Sequence, residues 1–474
     1  MTEYLKVDLC IIGAGSGGLS VAAGAQQMGA SCVLIEKGLM GGDCLNYGCV
    51  PSKALLAAGH AAHAVRHAAD FGVRAGTPEI SSQKVYAHVR NTIAAIAPND
   101  SVERFESFGV KVIQAAGRFT GRNEVAAGDT IVTARRFVIA TGSSAFVPPI
   151  EGLEDVPYLT NETIFDGPEL PDHLIVIGGG PIGIEMAQAH RQLGARVTVL
   201  EMFSIMPKDD AQLVAVVRAR LDQEGIDIRE GIKVLGVEKT DDGLAVKIEK
   251  DGVEQRIVGS HLLVAAGRRP NVDGLDLEVA GIEYSRTGIK VDARLRTSNR
   301  KIFAIGDVSG GYQFTHVAGY QAGIVIRNAL FRLPAKSDMR AVPWVTYTAP
   351  ELAQVGLTED EARKTYSDIK VLSWPYAEND RAQAERQTDG LIKVVTTGKG
   401  IILGAGIAGA HAGELIQTWV LAISKKMKIG DVASMIAPYP TLGEISKRAA
   451  GSFYTPSLFG ERTKKLVRFL RLFG

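Results

Sequence analysis

The sequence predicts an α/β fold: two doubly wound units with parallel sheets, followed by a C-terminal α+β unit. Three observations carry this prediction. A strand, a glycine-rich turn, a small-residue helix and a second strand ending in an acid follow one another near the N-terminus, and the same order returns after residue 172. Glycine is abundant, at 53 of 474 residues, as a chain with many tight strand-to-helix turns requires. From about Val345 the pattern changes to short strands and a final set of apolar helices.

A chain of this length exceeds one hydrophobic core and predicts several domains. Lysine and arginine total 53 against 52 acidic residues, so no global field draws in nucleic acid or a membrane. The expected partners are therefore small molecules, with no nucleic acid and no membrane. The opening residues, MTEYLKVDLCIIGAG, lack the regions of a signal peptide, and no apolar run reaches the roughly 18 residues of a spanning helix. Both features predict a cytoplasmic protein. Four cysteines are too few for a secreted disulfide scaffold. Cys10 and Cys32 sit inside apolar strands and read as buried small hydrophobes, which leaves Cys44 and Cys49.

The first unit begins with VDLCIIG and continues into Gly13-x-Gly15-x-x-Gly18, a helix, and a strand ending at Glu36. Gly13 permits the tight turn, Gly15 lets backbone approach a pyrophosphate, and Gly18 allows close packing of helix on strand. The helix N-terminus favours the anion, and Glu36 is placed to grip a ribose diol. The second unit repeats this at LIVIGGGPIGIE, with Gly178, Gly180 and Gly183, and closes on Glu201. A carboxylate there pairs with a free 2′-hydroxyl and repels a 2′-phosphate, and no arginine follows it immediately, so NAD(H) is favoured over NADP(H).

Between the first fingerprint and the next helix lies GGDCLNYGCVPSK, residues 41 to 53. Four residues separate Cys44 from Cys49. On the opening turns of one helix this spacing brings both sulfurs to one side, within reach of a reversible disulfide. Pro51 suits a first helical turn, which would put Cys49 near a positive helix end that favours its thiolate. A structural disulfide runs against the cytoplasmic reading, and a zinc site needs further ligands at suitable spacing.

With these motifs in order, the chain resembles the class I pyridine nucleotide-disulfide oxidoreductases, which include dihydrolipoamide dehydrogenase, glutathione reductase and mercuric reductase. GGDCLNYGCVPSKAL is similar to the family's active-site segment, ATG at 140–142 and AAGRRPN at 265–271 to its domain crossovers, and IFAIGDV at 302–308 to its second FAD motif. The resemblance implies an FAD-binding domain in two parts, 1–150 and 272–343, an NAD(P)-binding domain at 151–271, and a dimerisation domain at 344–474. It implies a homodimer carrying FAD and a nicotinamide nucleotide. Around the FAD it places Gly13, Gly15, Gly18, Glu36, Gly42, Asp43, Lys53, Thr141, Gly142 and Asp307, with the helix starting at Thr315 and His316 directed at the flavin. Around the NAD it places Gly178, Gly180, Gly183, Glu201 and Gly267. Lys53 pairs with Glu185 beside the flavin in this reading. Cys49 is then the flavin-proximal thiol and Cys44 the thiol that exchanges with an external disulfide. Pro181 stands where several relatives carry a bulky residue that gates the nicotinamide pocket.

One departure bears on the acceptor. Where disulfide-reducing relatives carry a histidine-glutamate dyad in a His-Pro-Thr segment, this chain has Tyr439-Pro440-Thr441 with Glu444 retained. An imidazole titrates at about 6.5 and a phenol at about 10, so Tyr439 is a poor base near neutrality. Mercuric reductases also carry tyrosine in this region, yet they end in vicinal cysteines. Here no cysteine follows Cys49.

Two further features have plain readings. His60, His63 and His67 share a helical stripe and are expected on a half-exposed face, with no metal bound. The tail KKLVRFLRLFG is basic and amphipathic, and packing onto the dimer is its expected role. Three functions follow: an NADH-dependent disulfide reductase, a mercuric-reductase-like enzyme reducing metal ions or quinones, and a non-catalytic flavin-bearing subunit.

Overall fold

The computed structural model describes residues 2–241 and 243–473. The chain divides into two compact units, one running up to Met202 and resuming over Gly231–Asp338, the other formed by Phe203–Glu230 and the chain from Met339.

The first unit opens on Glu3–Ile12, whose inner residues are fully buried because the strand is covered on both faces. Leu9 and Ile11 pack with Leu19, Val21 and Ala22 of the helix Ser16–Gln27. Cys10 and Ile12 point the other way, onto Phe119, Val125 and Phe137. Cys10 and Cys32 are therefore core residues, as expected, and burial raises both thiols above their ordinary range. The strands Lys111–Gln114, Cys32–Glu36, Glu3–Ile12 and Thr130–Ile139 lie side by side in parallel. Glu124–Ala127 and Gly117–Gly121 continue the sheet antiparallel, and Ile302–Ala304 returns from far along the chain to pair parallel with Thr130–Ile139.

Small residues let the helices close in. A Cβ on Gly17 would lie 3.1 Å from Ile305, and one on Gly24 would lie 2.6 Å from Ile326 in the helix Thr315–Ala329.

The second fingerprint repeats this build within the same unit. Arg196–Leu200, His173–Ile177 and His261–Val264 are parallel neighbours, and Pro181 occupies the first turn of the helix Pro181–Gln192, where its missing N–H costs nothing. A three-stranded antiparallel sheet, Lys233–Thr240, Gly243–Lys250 and Val253–Gly259, accompanies it. The chain leaves and re-enters the first nucleotide fold through a narrow neck, Ser143–Ala145 paired antiparallel with Arg268–Pro270.

The second unit is built on a five-stranded antiparallel sheet in the order Pro343–Thr346, Glu351–Gly356, Ile402–Gly409, Leu391–Thr397, Ile369–Pro375. Trp419 and Tyr376 are its largest fully buried side chains. The helix Ala211–Gln223 belongs here. Its cap residue Asp210 meets Lys393 at 2.8 Å, and the same ammonium meets Glu359 at 2.7 Å. The last helix, Glu461–Leu470, buries none of its residues. Among the described residues, no helix is long and apolar enough to cross a membrane.

Candidate active site

The segment that carries the thiols is shaped by glycine. Gly41 and Gly42 both have positive φ, +86° and +61°, and a Cβ on Gly42 would lie 2.8 Å from Gly15 Cα. The thiol segment is thereby pressed against the first fingerprint. The short helix Gly42–Asn46 carries Cys44, and a new helix, Cys49–Arg66, starts at Cys49. The expectation that one helix holds both thiols is thus corrected. Tyr47 ends the first helix and Gly48 adopts a non-helical conformation, with its Cα against Asp43, where a Cβ would be 2.9 Å from the carboxylate.

Both cysteines are thiols in this structure, Cys49 exposed and Cys44 half-buried. Cys44 donates to the Cys49 sulfur, which raises the Cys44 thiol strongly and is the largest influence lowering Cys49 to about 6. Thr315 Oγ1, 3.6 Å from the Cys49 sulfur, and the Lys53 charge act in the same direction on Cys49. Cys49 also begins an 18-residue helix, whose N-terminal dipole favours negative charge. One turn on, Lys53 Nζ meets Glu185 Oε2 at 2.7 Å. Glu185 is only 5% exposed and lies on the second fingerprint helix. The same two helices touch at Gly59, where a Cβ would lie 3.2 Å from the Ala189 carbonyl.

Asp43 is held by Arg268 at 3.0 Å and by Asn161, which donates at 3.1 Å and also reaches the Tyr47 carbonyl. Arg268 donates to the Ser143 hydroxyl and carbonyl, and the Ser143 hydroxyl donates to Asp307 at 2.5 Å. Burial holds Asp307 above the usual carboxylate range, opposed by Ser143 and the Arg268 charge. Thr141 and Gly142 are bound to Asn271 across the neck by three hydrogen bonds. Asn161, Ser143, Arg268 and Asn271 were not named from the sequence as site residues. The RRPN run gave a signal for Arg268 and Asn271, while Asn161 lies 118 positions from its partner with no motif around it.

The glycines test whether the nucleotides fit. A Cβ on Gly13, Gly18, Gly178 or Gly183 would lie between 1.8 and 2.4 Å from a backbone oxygen, so these four serve the turn and the packing. Gly180 has nothing within 4 Å, Gly15 meets only Gly42 Cα at 4.0 Å, and Gly267 is also open. The middle glycine of each fingerprint therefore faces open space at a helix N-terminus, which is the cradle a pyrophosphate needs. Glu36 accepts from Ala14 N and Gly38 N, and Glu201 accepts from Gly179 N at 2.7 Å, so both carboxylates sit on their glycine loops. The residues fit FAD and a nicotinamide dinucleotide. His316 stacks on Phe314 at 5.3 Å where the helix Thr315–Ala329 begins.

Tyr439 and Glu444 lie in the second unit. Tyr439 is 69% exposed and donates to Asp380 at 2.8 Å, and Glu444 opens the helix Glu444–Ser452. The Asp380 hydrogen bond, with the charges of Asp380 and Glu444, holds the phenol above its ordinary range. In the histidine stripe, the His63 and His67 rings stack at 4.0 Å, and burial lowers the His60 imidazole.

A parallel sheet flanked by glycine-loop helices, a thiol pair set on two successive helices and an antiparallel C-terminal unit define a dithiol oxidoreductase scaffold. Residues 7–322 match the family model for pyridine nucleotide-disulphide oxidoreductase, and 342–450 match that family's dimerisation domain. The chain belongs to this family. It is 34% identical to mercuric reductase of Bacillus cereus over 94% of this chain and 71% of that protein. It is 37% identical to dihydrolipoyl dehydrogenase of Thermus scotoductus over 95% and 98%. Among solved structures, it is similar to the Cu(II) complex of the HOCl-induced flavoprotein disulfide reductase RclA of Escherichia coli, with a TM-score of 0.84 and 26% identity over 93% of this chain and 99% of that one. The chain is thus an FAD-dependent oxidoreductase that uses a pyridine nucleotide, and its dimerisation domain supports a homodimer.

Proposed function

We propose that the chain uses NADH to reduce a small-molecule or protein-bound disulfide through the Cys44–Cys49 pair. The observation that carries this reading is the thiol pair itself: a Cys44 donor, a Cys49 sulfur held at about 6, and the Lys53–Glu185 pair one helical turn away. Bound FAD supplies the two-electron relay between nicotinamide and thiols. Gly15, Gly42 and Asp43, with Thr141, Gly142 and Asp307, would hold it. Gly180 and Gly267 would hold the dinucleotide on the loop that Gly178 and Gly183 shape, with Glu201 selecting the free 2′-hydroxyl. Exposed Met202 and Phe203 follow Glu201, so its immediate successors offer no cation for a 2′-phosphate.

In exchange, the Cys44 sulfur attacks one sulfur of the acceptor and releases the other as a thiol, leaving a mixed disulfide. The Cys49 thiolate then attacks Cys44, releases the second thiol and closes the Cys44–Cys49 disulfide. Of the two protons on the released thiols, one comes from Cys44 and the other from solvent. The two thiols influence each other in opposite directions, Cys44 raised and Cys49 lowered, so the proton of the pair resides on Cys44 and must leave it before its sulfur attacks.

Anaerobic titration of the FAD-loaded protein with NADH tests this. A long-wavelength absorbance that Cys49→Ser abolishes is expected. Flavin bleaching without it would remove the thiols from the electron path, and no reaction with NADH or NADPH would leave a non-catalytic flavin-bearing subunit.

Tyr439 favours a second reading, reduction of metal ions or quinones, because its raised phenol offers no base near neutrality. Cys44→Ser separates the two in part: disulfide exchange needs that thiol, whereas direct quinone reduction by the flavin survives its loss. If an absent base alone limits disulfide turnover, Tyr439→His raises lipoamide reduction near neutral pH. An unchanged rate with lipoamide would favour the second reading.

A further inference from the structure

The C-terminal helix Glu461–Leu470 and the residues to Phe473 lie past the end of the matched dimerisation domain. Along this stretch Leu466, Phe469, Leu470 and Phe473 fall at i, i+3, i+4 and i+7, so they share one face. None is buried: Leu466 is 54% exposed, Phe469 56% and Phe473 74%. Phe469 and Phe473 meet edge to face at 5.1 Å, which fixes them as one apolar ridge. On the opposite face, Lys464, Arg468 and Arg471 recur at i, i+4 and i+7. Residues 461–473 hold five basic side chains and one acidic, Glu461, a net charge of plus four, where the entire chain carries plus one. Thr463 donates to the Ser457 carbonyl at 2.7 Å and ties the helix to the segment before it.

We propose that this helix is an interfacial anchor that lays its Leu466–Phe473 ridge into the surface of an anionic lipid bilayer. Charge decides the occupant. A second copy of the helix would bring plus four against plus four, whereas acidic headgroups meet the cationic face while the acyl region takes the apolar one. The binding of such a helix grows with the apolar area it buries and with the attraction of its basic face to anionic lipids. This mode crosses no bilayer, in keeping with a helix too short to span one.

The test is co-sedimentation of the FAD-loaded full chain with phosphatidylcholine vesicles, with and without phosphatidylglycerol. Pelleting only with phosphatidylglycerol, weakened by added salt, is expected. Arg468→Gln with Arg471→Gln should lower the partition coefficient about 30-fold, taking about fivefold for each basic residue at an anionic surface. Phe469→Asp with Leu470→Asp should abolish pelleting while leaving flavin content and the sedimentation velocity of the free protein unchanged. Absence of pelleting by the unaltered chain overturns the proposal. So does a change of oligomeric state in the Phe469→Asp, Leu470→Asp variant, which would assign the ridge to contact between copies.

Discussion

Removing the Cys44 thiol isolates the effect that sets Cys49. Cys44 is the foremost of the influences that bring Cys49 down to about 6, ahead of Thr315 and Lys53, which remain in Cys44→Ala. A hydrogen bond to a charged acceptor is worth about 1.5–3 kcal/mol, and about 1.4 kcal/mol moves a titration by one pH unit. The variant should therefore titrate about one to two pH units higher, at roughly 7 to 8. At neutral pH its thiolate fraction falls from about nine-tenths to about half or less, since each pH unit changes the ratio tenfold. The assay is the rate of Cys49 alkylation by iodoacetamide against pH, with the modified residue identified by mass spectrometry. The FAD-loaded variant is compared with the reduced parent protein. A midpoint that stays near 6 would refute the argument and transfer the effect to Thr315, Lys53 and the helix terminus.

The two kinds of fingerprint glycine should respond differently. Gly180→Ala meets no atom within 4 Å and should leave melting unchanged while weakening NADH binding. Gly178→Ala, with φ +115° and a Cβ 2.4 Å from the Ala265 carbonyl oxygen, should lower stability by about 1–3 kcal/mol or more in urea unfolding. In the second unit, burial raises Asp209 to about 6 although Trp344 donates to it at 2.6 Å. The folded state then binds more protons than the unfolded one between the ordinary carboxylate value and about 6, so stability falls as pH rises through that window. Asp209→Asn keeps an acceptor for Trp344 and should remove this slope, gaining about 2–3 kcal/mol above it, as read from urea melts at several pH values.

Local rules made much of the scaffold legible. The spacing of Gly13, Gly15 and Gly18 announced a turn, an open cradle and a close packing contact, and each glycine has that surrounding in the structure. Lys53 and Glu185, 132 positions apart, were paired only through the family resemblance, and they meet at 2.7 Å. Pro51 does mark the first turn of the helix that begins at Cys49, but the cysteine spacing gives no sign that the non-helical Gly48 separates that helix from the one carrying Cys44. Asn161 and Ser143 could not be found from local pattern. Their partners lie 118 and 164 positions away, so their roles exist only once the strands around the neck are in register.

The returning strand Ile302–Ala304 also constrains the order in which the molecule is made. Leu9, Ile11, Leu19 and Val138 share their core with Leu295, Phe303, Ile305 and Val325. A growing chain emerges N-terminus first, so the earlier half of that core is synthesised well before the half that covers it. Meanwhile the second fingerprint has its whole parallel sheet and can close on itself. A ribosome-bound chain halted before residue 295 should therefore protect His173–Ile177 from proteolysis while Glu3–Ile12 stays vulnerable, although the latter is synthesised earlier.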